Sequence, residues 1–225
     1  MDHHTVFLAF FRQWKAFWWC SMQIDSFTGG IFDTNCFFLQ ESGILVDAPQ
    51  GAGDWLAAKG YRVSLLLLTH GHIDHSWDAA LIRQDHGCPV VCHTETVPLV
   101  TERDFFKQYG LNWEIETLTP DALQIVDEAP AANLGGVDFQ TLYVPGHCPG
   151  SLCFLARESR ILFGGDVLFA GGIGRFDLPG GDGPLLYRGI REKLFPLGDD
   201  IRVLPGHGPA TTIGVERKTN PYVGD

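Results

Sequence analysis

The most constraining feature of the chain is a cluster of metal-ligand side chains between Thr69 and His75. Three histidines and one aspartate lie within six residues: His70, His72, Asp74 and His75. Burying such a cluster is costly unless a cation satisfies it. Imidazole and carboxylate groups are ligands for zinc and related metals. The cluster therefore predicts a metal site.

The apolar run before this cluster constrains how its side chains point. Residues 65–68 are four leucines, which indicate a short buried strand. Residues two apart in an extended chain point the same way, so His70 and His72 can bind one metal. A helix predicted over residues 76–84 would turn the aspartate and histidine before it toward a second metal.

Three later apolar runs end in the same way, at a glycine followed by a possible ligand. Residues 140–144 lead to His147, residues 161–163 lead to Asp166, and residues 201–204 lead to His207. Binding sites in α/β folds tend to lie beyond the carboxyl ends of strands. The four junctions together predict one shared site. His86 and His93 lack this context, and we interpret both as structural.

These motifs resemble the metallo-β-lactamase superfamily, and within it the small single-domain members of the glyoxalase II (hydroxyacylglutathione hydrolase) branch. The resemblance extends from about Met22 to about Tyr222 and includes residues 174–182 and 206–214. It implies an α/β fold of the αββα sandwich type, with two divalent metals at one edge of the sheets. The metals would be zinc, with iron or manganese as alternatives. The implied ligands are His70, His72 and His147 for the first metal, Asp74, His75 and His207 for the second, and Asp166 as the bridge.

The resemblance further implies a binuclear metallohydrolase that cleaves a thioester such as S-lactoylglutathione. In that chemistry a hydroxide shared by two metals about 3.5–4 Å apart attacks the acyl carbon. Asp74 would orient the hydroxide, and Asp166 would act with it as the bridging ligand. Arg175 and Asp177 match positions where classical glyoxalase II has a lysine and a tyrosine that contact glutathione, so we predict that both bind substrate. We expect no C-terminal helical domain after His207, and the thiol carrier stays open.

Two other activities remain possible on the same motifs. One is a mononuclear iron persulfide dioxygenase, which shares the ligand pattern and a segment similar to residues 174–177. The other is a lactonase or a weak β-lactamase. Class B1 β-lactamases have cysteine at the position of Asp166 and class B3 enzymes lack the bridging aspartate, so the resemblance predicts only weak β-lactam hydrolysis.

Composition narrows the classes of partner. At 225 residues the chain is long enough for one catalytic domain, which we predict over residues 22–225. It has 16 Lys and Arg against 27 Asp and Glu, a formal net charge of −11, which argues against nucleic-acid binding. No apolar run is long enough to span a membrane, so we expect no stable membrane insertion. The expected partner is a small-molecule thioester, and the sequence leaves the oligomeric state open.

The first 21 residues and the cysteines indicate where in the cell the protein is expected to act. Residues 1–21 are apolar but interrupted by Arg12 and Lys15, and we interpret them as a leader or extension outside the catalytic domain. They lack the features of a secretory signal peptide. The six cysteines show no metal-type pair, which indicates reduced thiols and a cytoplasmic location. Cys148 adjoins His147, and we predict that it has a packing role.

Overall fold

The computed structural model of the protein describes residues 22–102, 110 and 115–225. Its strands are β1 (Ile24–Gly29), β2 (Thr34–Leu39), β3 (Ile44–Val46), β4 (Leu65–Leu67), β5 (Val90–Cys92), β6 (Leu123–Ile125), β7 (Ala129–Leu134), β8 (Val137–Tyr143), β9 (Leu152–Ala156), β10 (Ile161–Gly165), β11 (Leu168–Phe169), β12 (Gly172–Ile173), β13 (Arg202–Pro205) and β14 (Thr211–Thr212). The α-helices are α1 (Ala52–Lys59), α2 (Ile73–Ser76), α3 (Ala79–His86), α4 (Val97–Thr101), α5 (Gly183–Gly189) and α6 (Ile213–Thr219). Short 3₁₀ turns cover Thr94–Thr96, Pro120–Ala122 and Phe195–Leu197, and a π-helix covers Ile190–Leu194.

The strands form two six-stranded sheets and one small hairpin. The first sheet has the order β1-β2-β3-β4-β5-β6, antiparallel from β1 to β3 and parallel from β3 to β6. The second has the order β14-β13-β10-β9-β8-β7, and its one parallel pair is β10 with β13. The hairpin consists of β11 and β12. Each sheet is therefore a separate layer, made by one half of the chain.

The leucine run at residues 65–68 shows how the layers pack. Leu66 and Leu68 lie in the core beneath α1 and α3, whereas Leu65 and Leu67 lie in the core between the two sheets. Successive side chains of a strand point to opposite faces, so a strand covered on both faces reads as a continuous apolar run. The run is apolar throughout because both faces of this strand are buried.

Three apolar cores hold the four layers together. The first, around Leu56 and Ile82, lies between helices and the first sheet. The second, around Phe139 and Phe163, lies between the sheets. The third, around Leu186, packs α5 and α6 against the second sheet. This arrangement confirms the αββα sandwich and places the loops that follow the strands at one edge of it.

Most predicted elements are present with shifted bounds. The apolar runs at residues 37–39 and 44–46 predict a hairpin over residues 31–39 and 43–47. It corresponds to β2 and β3, with β1 added at the edge. The helix predicted from residue 76 begins earlier, at Ile73, and is interrupted before α3. The sequence also predicts a helix over residues 185–194, closed by Pro196. The observed helix starts at Gly183 and widens into a π-helix at Ile190.

Some predictions fall on residues outside the described part of the chain. The interpretation of residues 1–21, the state of Cys20 and the far end of the helix predicted over residues 94–107 belong to this group. Within the described residues, the segment for which the sequence predicts this helix forms the 3₁₀ turn Thr94–Thr96 and α4, which ends at Thr101. No helix in the described ranges combines the length and the apolar character that crossing a membrane requires.

Candidate metal centre

All seven predicted ligands meet at the edge of the sandwich between the two sheets. Four of them follow β4, and the others follow β8, β10 and β13. Their donor atoms form three groups, each within 4.8 Å: His70, His72 and His147; His70, His75 and Asp166; and Asp74, His75 and His207. We call the first group the first set and the last group the second set. The predicted junctions therefore converge on one place.

Asp166 lies between the two sets. Its Oδ1 is 3.2 Å from Nε2 of His75, and its Oδ2 is 3.5 Å from Nε2 of His147 and 3.3 Å from Nε2 of His207. The Oδ2 atom of Asp74 is 3.2 Å from the same nitrogen of His207. The carboxylate thus lies within 3.5 Å of His147 from the first set and of His75 and His207 from the second, which is the placement expected of a bridging ligand.

Unsatisfied buried atoms at this edge test whether a cation fits. Nε2 of His70, His75 and His147 and Oδ1 of Asp166 are buried, and none makes a hydrogen bond to the described residues; the 3.2 Å approach of Nε2 of His75 to Oδ1 of Asp166 brings two ligand atoms together without forming one. Leaving such groups unpaired costs on the order of 1–3 kcal/mol each. All four atoms are metal-ligand types and belong to the groups that lie within 4.8 Å. The residues present therefore fit divalent metal ions.

Backbone carbonyls fix the orientation of two imidazoles. Nδ1 of His147 is 2.7 Å from the carbonyl oxygen of Arg175, and Nδ1 of His207 is 3.0 Å from that of Phe32. A carbonyl only accepts hydrogen bonds, so each Nδ1 carries the proton in the neutral ring. The lone pair of each Nε2 then faces the site, as ligation requires.

Asp47 fixes two more imidazoles. Its Oδ2 is 2.8 Å from Nδ1 of His75 and accepts the hydroxyl of Thr69 at 2.8 Å. The single hydroxyl hydrogen of Thr69 is thus used, so its oxygen accepts from Nδ1 of His70, 3.1 Å away. In the neutral form, four of the five histidines at the site therefore present the Nε2 lone pair inward.

Burial lowers the pKa of some of these histidines, and neighbouring carboxylates raise the pKa of others. Burial lowers the pKa of His70 well below its ordinary value and lowers the pKa of His72 to about 3, so both are neutral at pH 7. Burial also lowers the pKa of His147. For His75, burial is outweighed by the carboxylates of Asp166 and Asp74, and its pKa is raised. The first set is thus in the neutral form that binds metals.

At Gly206 the backbone passes very close to the side chains of two ligands. A Cβ on Gly206 would lie 2.2 Å from Oδ1 of Asp166 and 2.5 Å from Cε1 of His75. Such distances are too short for any side chain. Glycine is therefore required at residue 206, because the backbone packs closely against two ligands. The sequence identified this residue only as part of a motif at the end of a strand.

Two supporting residues were missed by the sequence reasoning. Asp47 directly follows β3 in a left-handed conformation with φ of 60° and is almost fully buried. The sequence does contain a pattern that indicates Asp47, because this residue follows the apolar run Ile44–Val46 just as the ligands follow their apolar runs. Thr34 donates its hydroxyl to Oδ2 of Asp74 at 2.8 Å. Nothing in the sequence around Thr34 distinguishes it from any other residue at the start of a strand.

Arg175 and Asp177 lie on the surface beside the site. Nε of Arg175 donates to Oδ1 of Asp177 at 2.8 Å, and its Nη2 donates to Oδ2 at 2.8 Å. The two side chains are 61% and 65% exposed. Their role in substrate binding stays a prediction, and the contact of Arg175 with the site is through its backbone carbonyl.

The other singled-out residues have local contacts. Nδ1 of His86 accepts from the amide of Val63 at 3.3 Å, and His93 stacks on Tyr143 with ring centroids 4.4 Å apart. Both contacts are structural, in agreement with the interpretation of the two histidines. Cys148 is fully buried, and burial raises the pKa of its thiol to about 12. Its thiol is therefore protonated and packed.

The chain belongs to the metallo-beta-lactamase superfamily, whose family model matches residues 29–207. This superfamily consists of metal-dependent hydrolases that bind divalent metals. The membership agrees with the sandwich and with the candidate His and Asp ligand groups at its edge.

The chain is similar to one named hydrolase and to two proteins of solved structure. The chain is 36% identical over 211 residues to "Hydroxyacylglutathione hydrolase GloC" of Haemophilus influenzae, covering 90% of this chain and 98% of that protein. The solved structure of "BLEG-1 B3 metallo-beta-lactamase" superposes with a TM-score of 0.81 at 32% identity, over 89% of this chain and 99% of that one. "TTHA1623 in a di-iron-bound form" superposes with a TM-score of 0.77 at 34% identity, over 88% and 99%.

Proposed function

We propose that this protein is a binuclear metallohydrolase that cleaves a glutathione-type thioester such as S-lactoylglutathione. One observation carries the proposal: two carboxylates and the inward Nε2 atoms of four fixed histidines lie together at one edge of the sandwich. The similarity to a hydroxyacylglutathione hydrolase over nearly the whole chain supports the substrate class.

The chain's own residues divide the work at this edge. When bound, divalent cations supply a nucleophilic water at neutral pH and a Lewis acid for the acyl oxygen. The first set and the second set would hold one cation each, with Asp166 between them. Asp47 and the carbonyl of Arg175 hold His75 and His147 in the ligating tautomer. Thr34 donates its hydroxyl to the carboxylate of Asp74, which would complete the second set and orient the hydroxide.

Metal content and thioester hydrolysis test the proposal together. We expect about two divalent metals per fully loaded chain, from the two complete ligand sets, and hydrolysis of S-lactoylglutathione that is lost with a chelator and restored by zinc, iron or manganese. Elemental analysis and a thiol-release assay measure the two quantities. A single tightly held iron, with oxygen consumed on a glutathione persulfide and no second site on titration, would instead identify a persulfide dioxygenase.

A second prediction concerns Arg175. Its pair with Asp177 is exposed and screened by water, so the guanidinium can exchange that partner for a substrate carboxylate. Arg175→Met should therefore raise KM for an anionic glutathione thioester with little change in kcat, because such binding is uniform between ground and transition states. A small neutral thioester should be hydrolysed as before.

Arg157→Met is the matched control, since Arg157 is an exposed arginine whose guanidinium contacts only Gln140 among the hydrogen bonds of the described residues. It should leave both KM values unchanged. Equal losses of Arg175→Met on both substrates, or a lower melting temperature with unchanged KM, would assign Arg175 to a structural ion pair.

β-Lactam hydrolysis is a second candidate function. The similarity to BLEG-1, at 32% identity and a TM-score of 0.81, favours it. The same preparation assayed with a chromogenic cephalosporin and with S-lactoylglutathione separates the two candidates by their kcat/KM values.

A further inference from the structure

Glu216 is a buried carboxylate that the proposed chemistry does not use. It lies on α6, and its side chain is 1% exposed. Its Oε1 accepts the hydroxyl of Thr211 at 2.5 Å, and its Oε2 accepts the amide of Gly171 at 2.9 Å and Nδ2 of Asn220 at 2.8 Å. All three donors are neutral groups. Burying a charge on such terms is expensive, so the position calls for an explanation other than net stability.

The contacts of Glu216 converge on the hairpin of β11 and β12, which we call the 168–173 hairpin. Gly171 forms its turn, with φ of 72°, and Asn220 also donates to the carbonyl of Gly172 at 2.9 Å. The side chains of Glu216 and Asn220 thus bind two adjacent residues of the hairpin, Gly171 and Gly172. A short hairpin with two-residue strands has little stability of its own, so these contacts determine where it sits.

Both ends of the 168–173 hairpin touch the metal centre. It begins two residues after Asp166 and is followed by Gly174, where a Cβ would lie 1.9 Å from the carbonyl of Asp166 and 2.9 Å from Cγ of His147. The next carbonyl, of Arg175, orients His147. On one side of the hairpin, the ring of Phe169 meets that of His207 edge-on, with centroids 6.0 Å apart.

We propose that Glu216 is a positioning residue that fixes the 168–173 hairpin and, through it, the bridging carboxylate and two histidines of the metal centre. The proposal rests on the proposed metal site. The C-terminal helix thereby takes part in metal retention although none of its residues is a ligand. Changes to the direct partners of metal ligands typically alter metal affinity by about 10–100-fold, and we take that range as the scale for a residue that positions such partners.

Two substitutions of Glu216 separate positioning from charge. In Glu216→Gln the amide oxygen can still accept from Gly171 and Asn220, while the amide nitrogen donates to the hydroxyl of Thr211, which can rotate to accept. Glu216→Leu keeps a similar volume but removes all three contacts. We expect the Gln variant to behave as the wild type and the Leu variant to lose the position of the hairpin.

The measurement is transfer of metal from the zinc-loaded full chain to a chromogenic chelator. Glu216→Leu should weaken metal retention about 10–100-fold, and Glu216→Gln should remain close to the wild type. Hydrogen exchange at the Gly171 amide should accelerate in the Leu variant alone. Asn220→Ala, which removes the second clamp, should shift both readouts in the same direction and serves if the Leu variant does not fold.

Ile82→Ala is the control for stability. It opens a cavity beneath the first sheet, in a different core, and should lower the melting temperature with unchanged metal retention. Wild-type metal retention in Glu216→Leu or Asn220→Ala, or equal losses in the Gln and Leu variants, would overturn the proposal. Metal transfer needs no turnover, so failure to hydrolyse a thioester would reject the substrate and leave this result intact.

Discussion

Asp74→Ala is expected to abolish most of the activity, whereas His86→Ala is expected to leave it nearly unchanged. The carboxylate of Asp74 lies 3.2 Å from Nε2 of His207 and is held by the hydroxyl of Thr34. Removing it deletes one member of the second set and leaves that hydroxyl without its partner. Changes to the supports of ligands alone cost about 10–100-fold, so loss of a ligand should exceed that range.

His86 offers a matched histidine in the same segment of chain. Its ring accepts one long hydrogen bond, from the amide of Val63 at 3.3 Å, and lies outside the three ligand groups. Measurement of kcat/KM and of bound metal for both variants checks the prediction. Comparable activity in the two would show that the ligand assignment is wrong.

Asp47→Asn is expected to remove metal from the second set while the chain stays folded. Asparagine tolerates the left-handed conformation of Asp47, so the backbone should be preserved. The amide nitrogen, however, would donate toward Nδ1 of His75 where the carboxylate now accepts. The imidazole would then carry its proton on Nε2, which faces the site. We expect metal affinity to fall by at least about 10–100-fold, measured by titration with zinc.

Asp78→Asn is the corresponding substitution at another buried aspartate. Oδ2 of Asp78 accepts the amides of Gly51 and Gly53 at 2.9 and 3.0 Å, and the oxygen of an asparagine can take the same place. This variant should bind metal like the wild type. If Asp47→Asn retained both metals, the orientation of His75 would not depend on Asp47.

The ligands were predictable because their types and spacing are unusual. Buried strands ending in His or Asp specify where the chain leaves the sheet, and parallel neighbours bring these ends to one edge. For the same reason Asp47, which follows Ile44–Val46, carried a readable signal that was missed. The hairpin over residues 31–39 and 43–47 was predicted from its two apolar runs, which form β2 and β3.

Other parts of the site have no signature in the sequence. The carbonyls of Phe32 and Arg175 orient His207 and His147, and a backbone carbonyl exists at every position. Their roles follow from how distant segments pack. Similarly, β11 and β12 contain two residues each, too few for periodicity to identify a strand.

The division of ligands between the two sheets has a consequence for assembly of the molecule. His70, His72, Asp74 and His75 come from the half of the chain that builds the first sheet, and His147, Asp166 and His207 come from the other half. Any cation held by either set touches both halves. The free energy of ion binding is therefore also free energy of docking one half against the other. A bound ion therefore stabilises the sandwich in which the two sheets are packed together.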